Sequence, residues 1–129
     1  MKSFAITSDT ELEDAVRDKT SYNATNDELP GAHDSGQMQG VIEDAKRVLY
    51  MRTKSDAWYS DVGYGQSLVA MTAMKAKEAV ENVNISSYGI GDENINFSNA
   101  DPETSQQIIS WSSEANEGIE KSELNFEQG

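Results

Sequence analysis

With 129 residues, no cysteine, a single histidine and a formal charge of −13, this chain has room for one domain and one core. It has no disulfide frame, no thiolate metal site and no thiol nucleophile. Twenty-three acidic against ten basic residues repel nucleic acid and anionic membranes, and an apolar share of 36% implies a thin core that neighbouring subunits can complete.

The charge is uneven. Residues 1–45 sum to −7 and residues 78–129 to −10, whereas 46–77 sum to +4. A source living in high salt accounts for such acidity as well as a functional role does, because salt screens the mutual repulsion of carboxylates. Met1 to Ile6 carries one charge and no apolar run, so it does not read as a signal peptide. No stretch is long and apolar enough to span a membrane.

The first element has a clear start. Ser8 and Glu11 form a capping box, and Asp9, Glu11, Glu13 and Asp14 favour the positive end of a helix dipole. Leu12, Ala15, Val16 and Lys19 then recur at helical spacing, which predicts a helix over about 9–20. Residues 21–37 are turn-rich, punctuated by Pro30-Gly31 and Ser35-Gly36, and read as a long loop. The loop holds His33, which has no second metal ligand near it in sequence.

A second helix follows from Met38, Val41, Ile42, Ala45, Val48 and Leu49, with Asp34 or Ser35 as its cap and Glu43–Arg47 as an i,i+4 ion pair. The pattern loosens after Tyr50 and breaks at Gly63-Tyr64-Gly65. Lys46, Arg47, Arg52 and Lys54 read as a solvated face that offsets the acids. A third helix over about 66–82 is apolar nearly all round in its first half (Leu68, Val69, Ala70, Met71, Ala73, Met74), as a helix buried on more than one side must be.

Two short alternating runs, 85–90 and 94–98, flank Gly91-Asp92-Glu93 and predict a half-buried hairpin with Tyr88, Ile90, Ile95 and Phe97 on its apolar face. Gly91 is expected to take a positive φ in the turn. The last helix opens on Asp101-Pro102, an N-cap followed by proline at the first helical position. Ile108, Trp111, Ala115 and Ile119 form its stripe. Residues 120–129 read as a polar C-terminal tail in which Leu124 and Phe126 are either part of a frayed end or the anchors of an extended docking segment.

The expected fold is therefore mainly α: one domain over 1–129, a small bundle of about four helices with a short β-hairpin between the third and fourth. Nothing in the sequence supplies catalytic chemistry. One histidine and no cysteine remove most nucleophilic designs and no pair among the many carboxylates stands out. No phosphate-cradling G-x-x-x-x-G-K-S/T loop occurs, and Gly91-Asp92-Glu93-Asn94 lacks the alternating acidic frame of a calcium loop. We therefore expect no catalytic residues, no metal and no cofactor: the chain reads as a protein-binding domain and not as an enzyme.

An Ala-rich helix (SLVAMTAMKAKEAV) runs into VNISSYGIGDENINFSNAD and then into a polar amphipathic helix. This order resembles the head-tail connector adaptors of tailed double-stranded DNA viruses, in which an I-x-S-x-x-I-G-D-x-x-I/V-x-F/Y hairpin follows an Ala-rich helix. Here the motif is carried by Ile85, Ser87, Ile90, Gly91, Asp92, Ile95 and Phe97, and the resemblance covers about residues 38–120. It implies a virion protein that forms a ring of about twelve copies beneath the capsid portal, extends the DNA channel and docks stopper or tail proteins. Its partners would be the portal, a stopper or tail-completion protein and itself, with passing DNA bound by no specific contact. It further implies assembly in the host cytoplasm, with Leu124 and Phe126 reaching the portal. The acidity suits a virus of a halophilic archaeon. The rival readings are an acidic DNA-mimic inhibitor and a small regulatory binding domain.

Overall fold

The structure is a computed structural model that describes residues 8–20, 36–54, 62–81, 83–90 and 94–128, with the side chains of residues 9, 36–38, 62 and 123–128 outside the description. Four helices, α1 (Asp9–Thr20), α2 (Gly36–Thr53), α3 (Val62–Glu81) and α4 (Pro102–Gln128), are accompanied by a two-stranded antiparallel hairpin, β1 (Asn84–Tyr88) with β2 (Ile95–Ser98), which lies between α3 and α4 in chain order. The architecture is mainly α, as the periodicities predict.

The helix starts follow from their caps. The Glu11 amide donates to the Ser8 hydroxyl at 3.2 Å, and the Thr104 amide donates to the Asp101 carboxylate at 2.8 Å. Each satisfies an amide that the first turn leaves without a partner. Asp101 is exposed, and the bond from Thr104 holds its carboxyl below the usual carboxylate range.

α3 is the centre of the molecule, packed against α4, α2 and α1, whereas α2 and α4 share no substantial contact. Leu68, Ala70, Met71, Ala73, Met74 and Ala76 are fully buried along it. They meet Leu12 and Val16 of α1, Ile42, Ala45 and Leu49 of α2, and Ile108, Trp111 and Ala115 of α4 in one cluster. A helix apolar nearly all round is thus covered on three sides by its own chain.

Four expectations change. The Gly63-Tyr64-Gly65 segment does not break the chain, because α3 begins at Val62. Gly63 is there for proximity: a Cβ on it would collide with the Gly118 carbonyl and the Ser122 hydroxyl, and one on Gly118 of α4 with the Gly63 carbonyl and the Ser67 hydroxyl. The Ser67 hydroxyl donates to the Ala115 carbonyl at 2.5 Å across the same seam. Small residues four apart on both helices let the backbones touch, and helix packing overrides the local turn signal. Next, Gly36 and Gln37, assigned to the long loop, belong to α2, and Arg47 pairs with Asp44 at 2.7 Å while Glu43 accepts from Gln39 at 2.8 Å. Finally, residues 120–128 are not an extended tail. α4 continues through Gln128, so Leu124 and Phe126 lie on helical backbone and do not share one face of a strand.

Candidate protein-binding surface

The hairpin carries four of the residues singled out from the sequence. Its register pairs Asn84 with Ser98, Ile85 with Phe97, Ser87 with Asn96 and Tyr88 with Ile95, so Ser86 is an extra residue on β1, a bulge. The bulge brings Ile85 and Tyr88, three residues apart, to the same buried side. Tyr88 and Ile90 are buried, and Ile95 and Phe97 are half-buried against the core. The structure therefore brings these four together as the apolar underside that seats the hairpin, and does not leave Tyr88 and Ile90 open to a partner. Gly91 and His33 lie outside the described residues, and so do the side chains of Leu124 and Phe126.

Polar groups complete the seat. The Ser112 hydroxyl donates to the Tyr88 carbonyl at 2.7 Å, and the Asn116 amide donates to the Gly89 carbonyl at 2.6 Å. Two α4 side chains thus hold the end of β1, where Gly89 turns the chain at φ +70°. On the other side the Tyr88 phenol donates to the Glu78 carboxylate of α3, and the Lys75 ammonium lies 4.7 Å from its ring centre. Burial first, then the hydrogen bond and charge of Glu78, push the Tyr88 phenol far above its ordinary range.

The basic middle of the chain divides. Lys77 is buried, paired with Glu81 at 2.8 Å and 5.9 Å from the Trp111 ring centre. Glu81 also accepts from the Thr104 hydroxyl at 3.3 Å, tying the ends of α3 and α4. By contrast, Arg47 is 70% exposed, and Arg52 and Lys54 are exposed at the end of α2. They border an outward apolar pair, Tyr50 (49% exposed) and Met51 (64% exposed). A groove of about 420 Å³ lined by Val48, Met51, Arg52, Ser86, Ser87 and Tyr88 runs beside this pair, between α2 and β1. A third outward apolar side chain, Ile109 (52% exposed), stands on α4.

Tyr50, Met51 and Ile109 were not singled out from the sequence, although a signal for Ile109 was there. The stripe Ile108–Trp111–Ala115 assigns Ile108 to the core, which leaves its neighbour 100° round the helix facing out.

Among the described residues no group of three or more His, Asp or Glu side chains could hold a metal ion, and no helix is long and apolar enough to cross a membrane. The described residues of this region form a mixed apolar and polar surface. No protein-family model, curated protein or solved structure matches the chain.

Proposed function

We propose that the chain is a structural assembly subunit and not an enzyme, of the head-tail adaptor kind. Copies form a ring of about twelve beneath a capsid portal, extend the DNA channel, and offer a docking surface to a stopper or tail protein in the virion. The observation that supports assembly is the outward placement of Tyr50, Met51 and Ile109 on two separate flanks of a molecule whose charge is −13. Tyr50 and Met51 adjoin each other beside the groove, and a contiguous apolar patch on so charged a surface favours burial against another protein. The finer reading rests on the order of parts. A central Ala-rich helix leads into a hairpin seated on the next amphipathic helix, the arrangement implied by the I-x-S-x-x-I-G-D motif. Acidity suits the lining of a conduit through which DNA slides without adhering.

Native mass spectrometry of the protein alone and with the portal protein of the same virus tests this. A closed ring bound to the portal is expected. A monomer or dimer that ignores the portal, and instead blocks a nucleic-acid-binding enzyme, would replace the adaptor reading with that of a DNA mimic.

A further inference from the structure

On α2, Arg47, Tyr50 and Met51 follow the i, i+3, i+4 spacing of one helix face, Lys54 stands just past the helix end, and all four are exposed. Residues 46–54 contain Lys46, Arg47, Arg52 and Lys54 and no acid. Glu43 and Asp44 lie one turn back on the same face, Asp44 bonded to Arg47, so residues 43–54 carry a net +2 around the apolar pair on a molecule otherwise dominated by carboxylates. On α4, Ile109 shares its outward face with Ser113, Glu117 and Glu120, which are exposed as well. Between Pro102 and Ser122 the helix carries Glu103, Glu114, Glu117 and Glu120 against Lys121 alone. α2 and α4 both pack on α3 and share no substantial contact with each other, so the two patches stand on different helices of the bundle.

We propose that these two faces are the halves of one self-interface: the α2 face of one copy covers the α4 face of the next. Their charges are opposite, each includes an outward apolar side chain, and the occupant that presents the matching face is a second copy of this chain. Two different patches on separate flanks make a head-to-tail contact, which closes into a ring or runs on as a filament and does not stop at a two-fold dimer. Intrahelical pairs such as Arg47–Asp44 and Glu117–Lys121, both well exposed, are weak enough to exchange for contacts across the interface. The proposal rests on the self-assembly reading above and names the surfaces that carry it.

Charge reversal with mixing tests it. One variant carries Arg47→Glu and Lys54→Glu, the other Glu117→Arg and Glu120→Arg. Each is checked by circular dichroism for a native fold, then followed by analytical ultracentrifugation in roughly 0.15 M salt. Wild type is expected to oligomerise. Each variant alone, now facing like charge with like, is expected to do so about tenfold more weakly or worse. An equimolar mixture is expected to recover wild-type assembly, because every interface in an alternating array again joins opposite charges. Should a reversed variant misfold, Met51→Gln and Ile109→Gln provide the neutral test, each expected to weaken assembly. If wild type assembles and the variants match it, or the mixture fails to recover, these surfaces are not the interface and self-assembly stands. If wild type is monomeric at every concentration, alone and with portal, both readings fall.

Discussion

Gly89 ends β1 at φ +70°, where an L side chain is strained, and an added Cβ there would lie 2.8 Å from the Ser112 hydroxyl. Gly89→Ala is expected to cost about 1–3 kcal/mol of stability, read from chemical denaturation. A cost indistinguishable from zero would mean that the chain turns by some other conformation. Beside it, Tyr88 donates to Glu78 from a site that disfavours the phenolate. Its folded pKa lies above the unfolded value of about 10, so the protonated phenol stabilises the fold fully below that pH. The contribution is lost progressively as pH rises above about 10, since the unfolded chain ionises there and the folded one does not. Tyr88 is therefore expected to resist ionisation, read at 295 nm, until the protein unfolds. Tyr88→Phe should abolish that delayed step. The sequence singled out Tyr88 correctly as apolar-facing; its expectation for Gly91 lies outside the described residues, and it passed over Gly89. Local turn chemistry points to Gly91-Asp92, whereas the constraint at Gly89 comes from α4, through Ser112 and Asn116, which no local pattern shows.

Among the elements, the glycines of the helices separate two physical roles. Gly40 in α2 has nothing within 4 Å of a would-be Cβ, so Gly40→Ala removes only backbone freedom and is expected to stabilise by about 0.5–1 kcal/mol. Gly118 in α4 has the same intrinsic helix cost, yet a Cβ there meets α3 backbone. Gly118→Ala is expected to destabilise by about 1–3 kcal/mol, because the helices must separate. Opposite signs in paired urea titrations are the check, and equal signs would refute the tight α3–α4 seam. The same seam explains what sequence could and could not reveal. Caps at Ser8 and Asp101 and the stripes of α1, α2 and α4 are local, and they were legible. The start of α3 was not, since Gly63-Tyr64-Gly65 is a breaker by propensity and a contact surface by packing. Ser86 was equally silent: a bulge is a property of the strand pair, and alternation along β1 alone predicts Ile90 with Tyr88 where the bulge adds Ile85.

For the whole molecule, the balance of charge decides how it responds to salt. The attractive pairs resolved are mostly within one helix, such as Arg17–Glu13, Arg47–Asp44, Lys77–Glu81 and Lys121–Glu117. A cross-element pair, Lys19–Glu114 at 2.8 Å, joins α1 to α4 and is partly exposed. Exposed pairs contribute about 0–1 kcal/mol each, and intrahelical ones also persist in part in any residual helix of the unfolded chain. Against them stands the repulsion of a net −13, confined on folding to a volume only a few Debye lengths across at about 0.1 M salt. The unfolded chain spreads the same charge over roughly twice the radius, so screening relieves the folded state more than the unfolded one. The melting temperature is therefore expected to rise steadily as sodium chloride increases from about 0.01 to about 1 M. A rise from salt strengthening apolar burial would look similar, and replacing surface carboxylates separates the two. Changing Asp14, Asp18, Glu103 and Glu120 to their amides removes four negative charges without touching the core. The variant should melt higher than wild type at low salt and converge with it at high salt. Parallel curves would assign the salt response to burial, and a wild-type curve that is flat or falls with salt would show that the ion pairs outweigh the repulsion.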